Sequence, residues 1–507
     1  MSQLNQIKHI VQLMLENRSF DHMLGFLYPG RGGFEGLTGN EECDGVALNS
    51  PPVKVFKITQ QPNGYHRPGC DPGEHFQDTN EQLFGRDPPP ANATATNRGF
   101  VKNFAKALQA HAGFSDTIQG TKPEDIMGMY PPEMLPVMTA LAKGFAVCDQ
   151  WFASVPTQTF PNRAFAGAAT SLGDLKNHTH RLFNCPSIYG RLSDLAGATN
   201  GDIEGMKPWM IFGFDGPPLT RTNFPDTKFA DSSHFGLFSD FQARSTAGTL
   251  PAYSFLEPRF GENDDNNSQH PNHDVAKGER FLLDVYRTLR DGKNWSQTLL
   301  IITFDEHGGC FDHVAPPTTA TPPDDIVGEI EDFGFDRFGV RVPALLISPW
   351  IEAGTVFRVA DRVIDHTSVL KTMQERFGTV TLTNRDKAAP SLAAVLARPN
   401  PRTDDPLHGV SAPDPTAMPP EVDTDNPSPI EVVHATRLSD FEMPDQHGFH
   451  SFHEPDLSTS GKVRRYIQTR TAQWNQFVDK MSPAQRKKHV QDAIAFGARR
   501  RSGGKPG

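Results

Sequence analysis

The chain is 507 residues long, 37% hydrophobic and 21% charged, with a formal net charge of −11. That balance suits an ordinary globular core and rules out a low-complexity or collagen-like chain. No apolar run approaches the roughly 20 residues of a membrane-spanning helix. Residues 1–8 are polar and lack the apolar centre of a secretory signal. The expected location is therefore cytoplasmic or peripheral to a membrane, with export by another route as the alternative. Five scattered cysteines (Cys43, Cys70, Cys148, Cys185 and Cys310) without a Cys-x-x-Cys spacing speak against a disulfide framework and a cysteine zinc site. Buried free thiols are expected; a Cys43–Cys70 bridge is the alternative for an exported chain.

Residues 7–15 form an apolar, partly β-branched run that reads as a buried strand. Glu16 and Asn17 follow at once, at the strand end where open α/β sheets bind ligands. An ionised Glu is costly there unless something positive meets it, and a metal ion is the simplest answer. A cap and a turn are the plainer use of the same pair. Residues 26–125 read as loops, with a proline-rich exposed excursion at 88–96. A short β-like run at 145–152 leads to Thr159-Phe160-Pro161-Asn162-Arg163. A hydroxyl held in a proline-flanked turn suits attack on phosphorus, with Arg163 or Asn162 holding phosphate oxygens. An unreactive turn is the other reading of that segment.

Residues 273–290 carry apolar side chains on helical spacing behind Asp274 as a cap. They lead into a strand at 298–304, a helix–strand step of doubly wound sheets. Asp305 and Glu306 follow, two adjacent acids that raise each other's pKa unless a cation neutralises them. Gly308 and Gly309 allow a tight turn, and His307 and His313 lie within reach. A second amphipathic helix at 365–377 ends at Gly378, with His366 at its start read as structural. Residues 399–455 read as a Pro/Asp-rich linker or surface wrap, and 456–507 as a helical basic appendage to a catalytic domain at 1–398. The appendage holds 12 Lys+Arg against 3 Asp+Glu, a net of +9 that leaves −20 on the rest of the −11 chain. It reads as a packed helix with a solvated tail, or as a patch drawn to anionic lipid surfaces. No aromatic-basic groove motif accompanies the charge, so nucleic acid is not an expected partner.

Three segments together, ENRSFDHMLG (16–25), TFPNR (159–163) and DEHGGCFDHV (305–314), resemble the phosphoesterase family that includes the bacterial and plant non-specific phospholipases C and a related acid phosphatase. LPAYSFLEPR, HPNHDVAKGERF, FGVRVPALLISPW and DHTSVLKTMQERFG extend the resemblance over roughly residues 7–396. It implies an alkaline-phosphatase-like α/β fold, a doubly wound sheet sandwiched by helices. By position it implies Glu16, Asn17, Asp305 and Glu306 as metal ligands, Thr159 as nucleophile with its oxygen also on the metal, and His270 as an active-site histidine. His234 matches a family histidine loosely. The family's Asp-Pro-x-His is altered to Asp71-Pro72-Gly73-Glu74-His75, so Glu74 holds the histidine's strict position and His75, the preferred candidate, is displaced by one.

The implied ligands are all oxygens, a hard-cation set that favours calcium, then magnesium or manganese, over zinc. One divalent ion per chain is expected, with Arg163 and a histidine supplying the remaining positive charge. The implied reaction is a phospholipase C cleavage through a phosphothreonine, with phospholipid or a small phosphoester as substrate. A phosphomonoesterase on the same machinery and a non-catalytic lipid-surface binding protein are the alternatives.

Overall fold

The molecule is described from a computed structural model over residues 2–60, 63–112, 116–199, 201–261, 265–420, 422–423, 425–443 and 454–501. Its frame is an eight-stranded sheet. In chain order the strands are β1 (His9–Leu15), β2 (Ala146–Val147), β3 (Trp209–Gly213), β4 (Phe235–Leu237), β5 (Tyr253–Leu256), β6 (Thr298–Phe304), β7 (Ala344–Ile347) and β8 (Thr355–Val356). They lie side by side as β8-β2-β7-β6-β1-β5-β3-β4. Only β7 runs against its neighbours; every other pairing is parallel.

β1 and β6 are buried along their whole length, as their continuous apolar runs require of strands covered on both faces. Helices flank the sheet in two groups. One contains Pro136–Gly144, Phe238–Ala247 and Val275–Arg290, and the other Thr159–Ala168, Ile188–Gly197 and Thr367–Phe377. This is the α/β architecture expected from the sequence. Asp274 caps its helix by accepting from the Ala276 amide, and Gly378 closes the other at φ +82°. The pairing Leu15↔Phe304 ends β1 and β6 at the same level, so Glu16 and Asp305 leave the sheet side by side.

Two segments differ from the sequence reading. Residues 26–125 contain the helices Phe76–Phe84 and Phe100–Ala110. Phe100, Val101 and Phe104 turn one apolar face into a small second core with Phe26, Leu37 and Phe311, and that burial stabilises a segment whose turn residues suggested loop. The β-like run at 145–152 keeps only two residues of strand, followed by single bridges at Trp151 and Phe152. All five cysteines are free and buried, without a Cys43–Cys70 bridge. Among the described residues no helix is long and apolar enough to cross a membrane.

Beyond the sheet, the chain from 401 onward runs across the Val275–Arg290 helix. Tyr286 donates its hydroxyl to Asp405, and Thr416 donates its amide to Asp274. The helices Pro429–Ser439 and Ser460–Asp479 then pack on each other through Ala435, Leu438, Val463 and Trp474.

Candidate active site

Sequence-adjacent polar residues at the ends of β1 and β6 interlock. Asn17 takes φ +57°, a left-handed conformation that asparagine tolerates, and donates its amide to Asp305 Oδ1 at 3.0 Å. Gly308 and Gly309 at φ +58° and +65° carry the next turn under it; a Cβ on Gly308 would lie 2.2 Å from the Asn17 carbonyl oxygen. Glycine is therefore required there by both conformation and space. The Gly308 amide donates to Glu306 Oε2 at 2.7 Å.

Thr159 opens the Thr159–Ala168 helix, and its hydroxyl lies 3.4 Å from Asn17 Oδ1. A helix N-terminus favours negative charge on an attacking oxygen and on a bound phosphate. Asn162 was a candidate for holding phosphate, but the structure spends it on the turn. Its Nδ2 donates to the carbonyls of Val155, Thr157 and Gln158, and its Oδ1 accepts from the Val155 amide. Arg163 lies one turn after Thr159 and reaches back to the sheet, where Nε donates to Asp305 Oδ2 at 3.0 Å. Its buried Nη1 has no hydrogen-bond partner.

The displaced histidine resolves against His75. Glu74 points inward, accepting from Asn17 Nδ2 at 2.5 Å and Gln158 Nε2 at 3.2 Å. His75 is the N-cap residue of Phe76–Phe84; its ring pairs with Asp78 at 3.1 Å and its side chain is 59% exposed. The cause is local geometry: the residue that precedes a helix aims its side chain at the first turn, so the one before it faces the cleft. His234 is also remote. It stacks on Trp209 at 4.0 Å and shares a 2.9 Å hydrogen bond with the Trp209 carbonyl, at the start of the parallel strands β3 and β4 and so at the opposite edge of the sheet. Burial lowers its pKa to about 4.

His270 does enter the cleft. Its Nδ1 donates to the Pro271 carbonyl, and its Nε2 lies 3.9 Å from Asp71 Oδ1. Glu16, Asp71, Glu74, Thr159 and His270 line one cavity of about 40 Å³. The other histidines near the motifs serve as braces. His366 accepts from Trp151 Nε1 and donates Nε2–H to the Asp305 carbonyl at 2.7 Å. His307 holds Gln82 at 2.7 Å, and His313 pairs with Asp21 at 2.6 Å.

The cleft is short of positive charge. Burial pushes Glu16 up to about 7, with Asp305 adding to the rise and His270 and Arg163 opposing it. Burial, reinforced by Asp305, holds Glu306 well above the usual carboxylate range. Glu74 rises for the same first reason, with Glu306 second. Glu306 is fully buried, yet its Oε1 has no hydrogen-bond partner. An orphaned buried carboxylate oxygen among like charges fits a bound divalent cation, and oxygen donors suit a hard one. Asp71, Glu74 and His270 bring ligand atoms within 4.8 Å of one another, as do Asp21, Asp312 and His313 and, elsewhere, Asp174, His178 and Glu329, whereas Glu16, Asp305 and Glu306 are not such a set among the described residues.

Two contributions were missed by the sequence reading. Arg18 pins the cleft wall by donating to the carbonyls of Gln269, His270 and Arg67; its place in ENRSFDH was the available signal. Ser428, Pro429 and Ile430 from the Pro/Asp-rich region line the cavity. Arg437, further along the helix that Pro429 and Ile430 open, stacks 4.0 Å over the ring of Phe160, next to Thr159. Their recruitment depends on chain path, and no local pattern announces it.

Comparison with known proteins gives the family. The model of the phosphoesterase family matches residues 7–380. Non-specific phospholipases C3 and C1 of Arabidopsis thaliana are 37% and 36% identical over 80% and 79% of this chain and 76% and 73% of theirs. Phospholipase C B of Mycobacterium tuberculosis is 30% identical over 74% of each chain. With a family match over most of its length and relatives above 30% identity, the chain belongs to the phosphoesterase family.

Proposed function

We propose that this enzyme is a metal-dependent phospholipase C that cleaves phosphatidylcholine-like phospholipids to diacylglycerol and a phosphorylated head group. The observation that carries this reading is the Thr159 hydroxyl. It sits at a helix N-terminus, 3.4 Å from Asn17 Oδ1, in a cleft whose carboxylates outnumber its cations. Glu16, Asn17, Thr159, Asp305 and Glu306 are the residues that would hold one divalent ion, calcium being the best fit to an all-oxygen set. When bound, that ion offsets the carboxylate charge and lowers the pKa of a hydroxyl in contact with it.

The chain's own residues supply the rest. The Thr159 hydroxyl releases its proton to solvent as its oxygen attacks phosphorus, and the bond from phosphorus to the glycerol oxygen breaks. His270 gives a proton to that leaving oxygen. Water then attacks the phosphothreonine, releasing the phosphorylated head group and restoring the hydroxyl. Asn17 and Gln158 orient Glu74, and Arg163 neutralises Asp305. The named activity of the phospholipase C relatives supports a diester rather than a monoester substrate.

The test is hydrolysis of phosphatidylcholine and of nitrophenyl phosphorylcholine by wild type and Thr159→Ala. Full activity of the variant on both substrates would sink the reading. A rate on nitrophenyl phosphate far above that on the choline diester would turn the assignment to a phosphomonoesterase.

A further inference from the structure

Next to the catalytic cleft lies a cavity of about 110 Å³. Its floor is made by the C-terminal ends of β3 and β5, and its roof by the helices Pro429–Ser439 and Ser460–Asp479. Phe214, Leu219, Phe260, Ile430 and Ile467 make much of the lining apolar. Ile430 lines both this cavity and the cleft that holds Thr159. Phe260 belongs to the dividing wall, with the Arg163 guanidinium 5.2 Å from its ring on the catalytic side. The two spaces are thus neighbours that share a side chain.

One polar group in the lining is unexplained by the fold. His434 is only 6% exposed, and its Nε2 has no hydrogen-bond partner. Burial and the nearby Arg437 lower its pKa to about 3, so the ring is a neutral imidazole. The Arg464–Glu431 pair at 2.7 Å is already satisfied and does not compete for a ligand. Arg259 pairs with Asp215, and Glu257 accepts from the amides of Leu219 and Thr220, so these charged groups of the lining are also satisfied. A buried imidazole nitrogen beside the apolar part of the lining fits a ligand that is mainly apolar but carries a hydrogen-bonding oxygen.

We propose that this cavity takes the ester group and first methylenes of one acyl chain on the diacylglycerol leaving group, with His434 hydrogen-bonded to an ester oxygen. The inference rests on the phospholipase C reading above and adds a leaving-group subsite to it. The volume is below the roughly 300 Å³ at which pockets begin to enclose a whole drug-sized ligand, so the remainder of the chains stays outside.

The test compares dihexanoylphosphatidylcholine, its diether analogue and nitrophenyl phosphorylcholine, which has neither ester nor chain. Ile467→Phe fills the cavity and should lower kcat/KM on the ester lipid by about tenfold or more, the scale of a methylene misfit in an apolar pocket. Its rate on the nitrophenyl substrate should stay within about twofold, a control for folding. Wild type should prefer the ester lipid to its diether analogue, and His434→Leu should abolish that preference; a wild type without it would overturn the subsite. Equal losses on all substrates, unchanged chain-bearing kinetics, or a retained ester preference in His434→Leu would overturn the subsite. If wild type turns over the nitrophenyl diester but neither lipid, the subsite fails while the catalytic cleft stands. If it turns over none of the three, the phospholipase reading itself fails.

Discussion

Two buried charge clusters, both drawn from the same two sequence motifs, have opposite characters. Asp21 of ENRSFDHMLG and Asp312 of DEHGGCFDHV meet Arg341, which donates to both at 2.9 Å and to the carbonyls of Glu35 and Asp149 at 2.8 Å. His313 adds a contact to Asp21 at 2.6 Å. Glu16 and Asn17 of the first motif and Asp305 and Glu306 of the second meet, among the described residues, the Arg163 guanidinium, whose Nε is taken by Asp305. In the first cluster one fully buried Arg341 bonds both acids. In the second an acid oxygen is left without a partner. Burial of charge alone does not mark a functional site, since matched charge holds elements together. The mismatch marks it, because burial raises the acids' pKa values until a proton or a cation neutralises them.

That comparison can be broken or sharpened by mutation. Thr159→Ala removes the attacking oxygen and should cost about four orders of magnitude or more in kcat on a choline phosphodiester, with little change in melting temperature. Asp305→Ala should abolish activity and divalent ion binding together, because it deletes a ligand and leaves Arg163 buried without its acid. Equilibrium dialysis with calcium or manganese reads the second loss, and a variant that binds metal as wild type does would refute the ligand assignment. Arg341→Met attacks the matched cluster instead. It strands two buried carboxylates and should lower stability by about 3–5 kcal/mol, measured by denaturant unfolding.

Smaller effects separate the neighbours Glu74 and His75. Glu74→Gln should lower turnover about 10- to 100-fold, as loss of a group that orients site ligands does, whereas His75→Ala should leave kcat unchanged. The reverse outcome would mean that His75 reaches the cleft in the working enzyme. The smallest effect is expected at His234, remote from the chemistry. Its folded pKa of about 4 lies below its ordinary value of 6.5, so the folded state binds fewer protons than the unfolded chain between those values. It therefore contributes a loss of stability as pH falls from 6.5 toward 4. His234→Phe should keep activity and flatten the fall in melting temperature over that window; loss of activity at pH 7 would place it in the mechanism.

Much of this was legible before any coordinates. The strands at β1 and β6, the capped helix after Asp274 and the carboxylates at the two strand ends follow from runs of apolar residues and the acids that end them. Such signals are local, and burial of both faces leaves a strand little freedom of composition. Thr159, Asn17 and His270 stand out by motif; the fold brings Thr159 and His270 to one cleft and sets Asn17 Oδ1 3.4 Å from the Thr159 hydroxyl. The choice between Glu74 and His75 was different in kind. It depended on which of two adjacent residues caps a helix, and a sequence motif does not carry that geometry. His234 had only a loose motif match to recommend it, and strand direction placed it at the far edge.

Sequence by itself therefore determined the sheet's central strands, the family and the acids at the two strand ends, because each is encoded in a short run of neighbouring residues. Tertiary structure alone decided that Glu74 faces the cleft, that Arg341 balances one pair of acids while another stays unmatched, and that Ser428, Pro429 and Ile430 close the wall some 270 residues after Thr159. The reason is physical. Charge balance and cavity shape are sums over side chains far apart in the chain, and only the folded path brings those terms together.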